Sequence, residues 1–230
     1  MSELSMSSFS FEDLTTEDVD AAEALWGGLT DDVRRLLDLT IRSRVGPEQV
    51  ARARAMLQEA ADLLAEDAPA EPAGVHYNAH GRSWNWGNTV VGVRNAFAPP
   101  VRLAWGDDDV VRSAVTLGAP YEGPPGSVHG GVSALLLDHL MGETASAAHT
   151  RLTVTGTLTL RYVRPLPLGP VRMEARVSEE SGRKVTVTAT IRPDVVDAEP
   201  AVEATGLFII PRWAYQPDPD TGPTGIGSLD

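Results

Sequence analysis

Residues 127–142 read SVHGGVSALLLDHLMG, and this stretch decides the fold class. A His-Gly-Gly triplet opens it, and an apolar run with the length of a helix follows. One acid, Asp138, lies in that run eight residues after Gly130. The segment therefore predicts a buried helix that begins at a pair of glycines and carries a single carboxylate. A charged side chain is unusual in an otherwise apolar helix, which makes Asp138 a candidate functional residue.

Segments that alternate between apolar and polar residues lie on both sides of this helix. Before it, the alternation covers residues 111–117 and also 97–105, where Pro99 and Pro100 interrupt it. After it come four alternating segments, at residues 152–163, 171–180, 184–191 and 201–210. Each is typical of an antiparallel strand with one buried face. Two strands, one helix and four strands predict an α+β fold, in which one long central helix is wrapped by a curved antiparallel sheet.

In the first third of the chain, the apolar residues recur with the period of an α-helix instead. One helix face, with Thr30 available as its N-cap, contains four apolar residues: Val33, Leu36, Leu37 and Ile41. Gly46 and Pro47 end this helix and start a second one. A linker rich in proline and alanine follows at residues 67–74. The sequence thus predicts three parts: an N-terminal helical extension and linker at 1–74, the main domain at 75–215 and a disordered tail at 216–230.

The formal net charge of −13 is unevenly distributed. Residues 1–72 hold 16 acids and 6 bases, whereas residues 151–192 hold 8 bases and 3 acids. The acidic first part argues against nucleic acid or an anionic membrane as a partner. The basic region either attracts an anionic ligand or solvates exposed strand faces.

The composition also bears on compartment and cofactors. The N-terminus has no signal-peptide pattern, and no apolar run is as long as a membrane span. The chain has no cysteine, which excludes disulfides and thiolate metal sites. His76 and His80 have the i, i+4 spacing of some metal ligands, but no acidic motif or strong helical pattern surrounds them. We therefore expect a cytoplasmic protein without a metal ion.

Glycines at a helix start expose backbone N–H groups that have no partner within the helix. Together with the helix dipole, these groups can stabilise the oxyanion that forms on an attacked carbonyl. Asp138 can then act as a nucleophile or as a general base on water. The alternative is purely structural, a glycine-rich helix entry followed by a solvated acid.

Helix geometry constrains the catalytic interpretation. Eight residues separate Asp138 from Gly130 by ~12 Å along the helix axis. A reacting carbonyl should lie ~3 Å from both its oxyanion donor and the attacking group. One helix cannot meet both demands, but two copies lying antiparallel across a two-fold axis can. If the site is catalytic, it is formed between subunits.

The spacing of the His-Gly-Gly triplet, Asp138 and Gly142 resembles the motif of PaaI-type hotdog-fold acyl-CoA thioesterases. The flanking EGPPGSVHGG at 122–131 and LRYVRP at 160–165 also match this family, and the similarity covers about residues 97–211. The resemblance implies a hotdog-fold homodimer, often a dimer of dimers. Such a protein hydrolyses thioesters of coenzyme A and needs no cofactor.

The same resemblance implies five catalytic residues: Asp138, Gly130, His129, Gly131 and Thr155. The N–H of Gly130 would polarise the thioester carbonyl, and Asp138 from the other chain would attack it or activate water. His129 would orient the loop or contact the thioester. Thr155 matches a hydroxyl on the strand after the helix, although alternating threonines are also favoured by strand propensity alone.

The resemblance further suggests where the substrate binds. Relatives often have an asparagine six residues before the histidine, whereas here Gly123 takes that position and Glu122 stands beside it. Arg164, Arg183 and Lys184 lie at strand ends in the locally basic region, where nucleotide phosphates would dock.

Other functions remain open at this point. Some hotdog proteins bind acyl-CoA without hydrolysing it, as sensors beneath an N-terminal DNA-binding segment or as scaffolds. The acidic charge of residues 1–72 argues against DNA binding, which depends on phosphate neutralisation. Residues 1–74 would alternatively form a lid or a docking surface for a partner protein. Hydratase chemistry is disfavoured, because His139 directly follows Asp138 and points ~100° away around the helix.

Overall fold

The structure is a computed structural model that describes residues 9–71, 73–99 and 101–215, together with the backbone of residues 217–218 and 222–223. The chain forms two units, Met1–Ala98 and Pro99–Asp230. The predicted boundary at residue 74 differs from this division. The reason is that residues 75–98 pair and hydrogen-bond with earlier elements of the first unit.

The first unit contains the long helix α1 (Thr16–Arg42), which a capping box starts. The Thr15 hydroxyl accepts a hydrogen bond from the Asp18 N–H, and the Asp18 carboxylate accepts one from the Thr15 N–H. The predicted cap at Thr30 is wrong. Thr30 lies inside α1, where its hydroxyl donates to the Trp26 carbonyl, because the helix begins at the earlier capping box and continues without a break.

The second helix, α2 (Pro47–Ala65), begins at the predicted position. Gly46 is its N-cap, and Pro47 occupies the first helical position, where a missing N–H costs nothing. All 19 residues of α2 are exposed. The apolar face predicted for residues 33–41 of α1 is also incompletely covered, since each of its four members is at least 36% exposed.

A small sheet completes the first unit. It contains three strands: β1 (Phe9–Phe11), β2 (Val75–Tyr77) and β3 (Ser83–Trp84). β2 lies in the middle, parallel to β1 and antiparallel to β3. Arg34 of α1 donates hydrogen bonds to the carbonyls of Asn95 and Ala98. These contacts tie the segment after the linker to the N-terminal helix.

The second unit contains a six-stranded antiparallel sheet. Its strands are β4 (Ala104–Trp105), β5 (Val111–Leu117), β6 (Val154–Tyr162), β7 (Gly169–Ser181), β8 (Lys184–Pro193) and β9 (Val202–Ile209). Their order is β4-β5-β7-β8-β9-β6, so β6 lies at an edge of the sheet. The four strands predicted after the helix are confirmed. Of the segment 97–105, only β4 forms a strand, since proline cannot donate to a ladder.

Helix α3 (Gly130–Ala145) packs against β6, β7, β8 and β9 and fills the core. Its inward side chains are at most 1% exposed: Leu136, Leu137, Leu140 and Met141. The sheet contributes alternate residues to the same core, among them Met173, Val187 and Phe208. The structure thus confirms the predicted α+β arrangement of one central helix wrapped by an antiparallel sheet.

Little of the predicted disordered tail at 216–230 belongs to the described residues. Pro217–Asp218 and Gly222–Pro223 pair as two short antiparallel strands, β10 and β11. The rest of that prediction lies outside the described residues. Across the described ranges, no helix combines the length and the apolarity that crossing a bilayer requires.

Candidate active site

His129 caps the start of α3. Its Nδ1 accepts a hydrogen bond of 3.0 Å from the Gly131 N–H, and its own backbone N–H donates to the Tyr121 carbonyl. Because Nδ1 accepts, the neutral ring carries its proton on Nε2. The His129 side chain is exposed, so this Nε2–H can reach a ligand. The Gly131 N–H, by contrast, is already used by the cap.

Gly130 supplies the free backbone donor at this helix start. The N–H groups of Val132 and Ser133 donate to the His129 carbonyl, and that of Gly131 donates to the His129 ring. Within the described part of the chain, the Gly130 N–H has no acceptor. An unpaired first-turn N–H at the positive end of a helix is suited to stabilising an oxyanion.

Tyr162 holds Gly130 from the end of β6 and was not predicted as a site residue. Its hydroxyl donates a hydrogen bond of 2.9 Å to the Gly130 carbonyl. A Cβ built on Gly130 would lie only 3.2 Å from the tyrosine ring, so the ring packs directly against the glycine. Its place in the LRYVRP match was the one sequence signal that pointed to this residue.

Asp138 lies further along α3 and contacts the other end of β6. The Thr155 hydroxyl donates a hydrogen bond of 3.0 Å to Asp138 Oδ1. Thr155 is exposed and Asp138 is half-buried, so the pair is open to solvent. Among the described residues, Oδ2 receives no hydrogen bond and can accept a proton or attack a carbon.

The two halves of the predicted site do not meet within one protomer. Gly130 and Asp138 lie ~12 Å apart along α3. Each is supported by a different end of β6, the glycine by Tyr162 and the acid by Thr155. Because β6 is an edge strand, both halves lie beside a sheet edge that no other described strand occupies, where another chain can pair.

The loop before α3 accounts for Gly123, which occupies the position of the asparagine found in relatives. A Cβ at Gly123 would lie 2.7 Å from the His129 Cα and 3.0 Å from its Cβ, too close for any side chain. The neighbouring Glu122 accepts a hydrogen bond of 2.7 Å from the Gly126 N–H. Both predicted substrate-binding residues therefore have contacts that shape the loop around His129.

The three basic candidates lie at opposite ends of the sheet. Arg164 is exposed and follows β6 on the Tyr162 side, near the start of α3. Arg183 and Lys184 lie in the β7–β8 hairpin, which the strand register puts at the Thr155 end. One protomer thus separates Arg164 from the other two residues.

A groove of about 670 Å³ crosses the outer face of the sheet, and none of the predicted site residues lines it. Most of its charged lining is paired internally, for example Arg112 with Asp108 and Arg161 with Glu203. Exposed pairs of this kind contribute little binding or stability. The groove therefore adds no group to the candidate site.

His139 packs beside the site without taking part in its hydrogen bonds. Its side chain is 16% exposed, and the Glu143 carboxylate approaches Nε2 only to 4.0 Å. In the described part of the chain this Nε2 has no hydrogen-bond partner. Burial lowers the pKa of His139, and His149 adds to the lowering, whereas the charges of Glu143 and Asp138 act in the opposite direction. The ring is therefore neutral at pH 7.

Comparisons with known proteins show which family this fold and this helix start belong to. The thioesterase superfamily model matches residues 125–196, which include α3, β6, β7 and β8. A crystal structure of a thioesterase superfamily protein is 37% identical, with a TM-score of 0.68, and the match covers 80% of this chain and 90% of that one.

Two curated relatives match a shorter segment. Acyl-coenzyme A thioesterase THEM4 of Xenopus laevis is 42% identical over 92 residues, and that of Bos taurus is 34% identical over 94 residues. These matches cover 39% and 40% of this chain. The chain spans about two fifths of the length of these relatives, 40% and 38% respectively.

The fold is therefore a hotdog fold, and its central helix begins at the glycine of the candidate site. The chain belongs to the thioesterase superfamily, because its similarity to a solved member extends over four fifths of its length. The family resemblance inferred from the His-Gly-Gly motif is confirmed.

Proposed function

We propose that this protein is an acyl-CoA thioesterase that hydrolyses the thioester of an acyl-coenzyme A. The observation that carries the proposal is the N–H of Gly130, which has no acceptor among the described residues. Tyr162 bonds the Gly130 carbonyl, and His129 caps the N–H of the next residue, Gly131. Membership of the thioesterase superfamily supports this reaction, and so does the similarity to the acyl-coenzyme A thioesterase THEM4 relatives.

The active unit in this proposal is a homodimer formed along β6. This strand has nine residues, and no described strand pairs with its outer edge. Antiparallel pairing of two β6 strands about a two-fold axis would lay the two α3 helices side by side in opposite directions. Gly130 of each protomer would then approach the acid of the other. A dimer of dimers would repeat this composite site without altering it.

Hydrolysis in this site follows from the groups that it brings together. The thioester oxygen accepts a hydrogen bond from the Gly130 N–H, and the exposed Nε2–H of His129 lies beside the same turn. Asp138 of the other protomer takes a proton from a water that attacks the carbonyl carbon, or attacks that carbon itself before water releases the acyl group. Negative charge collects on the oxygen, where the N–H and the helix dipole stabilise it. In both paths the C–S bond breaks when the tetrahedral intermediate collapses, so in the nucleophilic path it breaks before water hydrolyses the anhydride formed on Asp138. The thiolate of coenzyme A takes up one proton of the consumed water, and the acyl group departs as the free acid.

The basic residues fit the coenzyme part of this substrate. Arg164 lies at the Gly130 end of a protomer, whereas Arg183 and Lys184 lie at the Asp138 end. The two-fold pairing would bring opposite ends together, so all three residues would flank each composite site. Guanidinium and ammonium groups are suited to phosphates, and we assign them to the nucleotide of coenzyme A.

A panel of acyl-CoA substrates, followed by free thiol release, tests the proposal. We expect Asp138→Asn to lower kcat at least ~100-fold, in line with typical general-base or nucleophile contributions. Asparagine keeps the shape of the side chain and can still accept the Thr155 hydrogen bond. Glu203→Gln is the matched control, because it makes the same change on the exposed outer face of the sheet. Equal turnover by Asp138→Asn and the wild type would refute the assigned role.

A non-catalytic acyl-CoA sensor or scaffold is the second candidate. It is favoured by Gly123, which leaves no room for the amide that relatives often carry in this loop. Such a protein would bind a non-hydrolysable acyl-CoA thioether yet release no thiol from any member of the panel. That combined result would select this function over hydrolysis.

A further inference from the structure

Gly142 is a glycine inside α3, where the backbone conformation does not require one. It lies three residues before Ala145, the last residue of the helix, and it is not among the glycines with a positive φ. It therefore does not serve as the left-handed residue that often follows a helix. Glycine in a helix interior is less favourable than alanine, because it loses more backbone freedom on folding.

Packing within the protomer does not require glycine at this position either. Apart from the backbone of α3 and the adjacent residues, a Cβ built on Gly142 would have one described neighbour within 4 Å, the Phe208 ring at 3.5 Å. This is an ordinary van der Waals contact, so alanine fits. By contrast, a Cβ on Gly206 would lie 2.5 Å from the same ring, and glycine is needed there. The missing side chain at 142 thus leaves space that the protomer does not use.

This space lies beside the attacking acid. Gly142 follows Asp138 by one helical turn on the same face, and both residues are half-buried. Side chains on a helix lean toward its N-terminus, so a side chain at 142 would cover the turn that contains Asp138. It could not sink inward, because the buried Phe208 ring is itself packed against Gly206. A larger residue at 142 would therefore extend toward the Asp138 carboxylate.

The second α3 helix of the proposed dimer does not fill this space. With the helices antiparallel and Gly130 of one protomer opposite Asp138 of the other, Gly142 lies ~6 Å further along the axis. The opposing helix begins at Gly130, so it does not reach the level of Gly142. The acyl group does reach this level, because it extends from the carbonyl carbon that Gly130 and Asp138 hold between them.

We propose, on the basis of the composite thioesterase site described above, that Gly142 determines the acyl specificity of the protein. Its missing side chain leaves room for an acyl group that is branched at the carbon next to the carbonyl, such as isobutyryl. A side chain at 142 would take up that room, whereas a straight chain is narrow beside the carbonyl and needs less of it. Pockets of this kind discriminate ~10-fold to ~200-fold for a single methylene group.

Two isomeric substrates, butyryl-CoA and isobutyryl-CoA, test this role because they differ only in branching. We expect Gly142→Val to lower the ratio of kcat/KM for isobutyryl-CoA to that for butyryl-CoA at least ~10-fold relative to the wild type. Gly142→Ala should lower this ratio less. Gly28→Val is the matched control, since it adds the same side chain to an exposed position of α1 where a Cβ meets nothing within 4 Å. Its ratio should equal that of the wild type.

A binding measurement makes the test independent of hydrolysis. Coenzyme A forms ketone thioethers with bromomethyl propyl ketone and bromomethyl isopropyl ketone, and these analogues keep a carbonyl oxygen but cannot be hydrolysed. Titration calorimetry should show the same loss of the branched-to-straight affinity ratio in Gly142→Val. A wild type that binds both analogues but hydrolyses neither substrate would refute the proposed hydrolysis, and the affinity ratio would still decide the role of Gly142. Binding of neither analogue would overturn both proposals.

Folding measurements separate this role from packing against another part of the assembly. Gly142→Ala should keep the oligomeric state of the wild type and raise the thermal midpoint by a few degrees, because alanine is the better helix former. Dissociation or a lower thermal midpoint in this variant would overturn the inference, since protein rather than substrate would then fill the space. An unchanged ratio in both Gly142→Val and Gly142→Ala would overturn it as well.

Discussion

The Thr155 hydroxyl donates a 3.0 Å hydrogen bond to Oδ1 of Asp138, so the edge strand β6 sets the position of the acid on α3. Thr155 is exposed, and burial therefore does not explain its contact with the carboxylate. The hydrogen bond engages Oδ1 and leaves Oδ2 without a donor among the described residues. In the proposed reaction Thr155 is a positioning residue, because it acts through the acid rather than on the substrate.

Thr155→Val tests this positioning role. Valine keeps the branched shape and the strand propensity but removes the donor. We expect kcat to fall ~10-fold, the usual effect of losing one hydrogen bond to a charged group, with KM nearly unchanged. Thr155→Ser should restore most of the rate. Thr159→Val, on the outer face of the same strand, is the control and should behave like the wild type. An unchanged kcat for Thr155→Val would contradict the role.

The backbone donor at Gly130 can be removed without disturbing the helix. Gly130 is the first helical residue, where proline is well tolerated, and the ψ of 133° at His129 suits a residue before proline. We expect Gly130→Pro to lower kcat ~100-fold, the typical effect of losing an oxyanion donor. Gly130→Ala is the matched control, since it keeps the N–H and adds only the Cβ that approaches Tyr162. Equal losses in both variants would mean that crowding, not the donor, matters.

Mixing inactive chains extends this test to the subunit interface. A hybrid dimer of Gly130→Pro and Asp138→Asn chains would hold one site with both native groups and one site with neither. Co-refolded mixtures should therefore recover activity well above that of either variant alone. No recovery, in a mixture whose hybrid dimers are verified by mass spectrometry, would contradict a site shared between chains.

Most of the second unit was predictable because its patterns are long. The strands β6 to β9 alternate over eight or more residues each, and α3 is a continuous apolar run, so both periods are distinct. The small sheet of the first unit was not predicted. β1 and β2 have three residues each and pair across 66 residues of chain, from Phe9 to Val75. Segments this short carry no readable period.

Some features of the candidate site could likewise be predicted from the sequence, and others could not. His129, Gly130 and Asp138 form a local motif, so the family resemblance could assign them from the sequence, although their spacing alone left a structural interpretation open. The contact between Tyr162 and Gly130 joins residues 32 positions apart and depends on how β6 lies against α3. The role of Gly123 likewise depends on the loop passing directly over His129. Neither relationship is encoded in a sequence spacing.

Tyr162→Phe should separate the hydrogen bond to Gly130 from the packing of the ring. Phenylalanine keeps the ring against the glycine but removes the 2.9 Å hydrogen bond to its carbonyl. We expect kcat to fall ~10-fold with little change in KM, because the oxyanion donor loses its fixed orientation. The thermal midpoint should change little, since Tyr162 is 55% exposed. Tyr77→Phe in the first unit is the control. A lower thermal midpoint with unchanged kcat would make Tyr162 a stability residue instead.

The acid sensitivity of folding should depend on His139. Burial lowers the pKa of this histidine in the folded protein, so the unfolded chain binds the proton more readily. The free energy of unfolding should therefore decrease as the pH falls below ~6.5, by at most ~1.4 kcal/mol per pH unit from this group. His139→Gln removes the effect, and urea unfolding at pH 7 and at pH 5 should show a smaller loss of stability than in the wild type. His80→Gln, at an exposed residue of the first unit that does not act on His139, should retain the wild-type pH dependence. If the His139→Gln and wild-type proteins lose the same stability between these two pH values, the ring is not held neutral by burial.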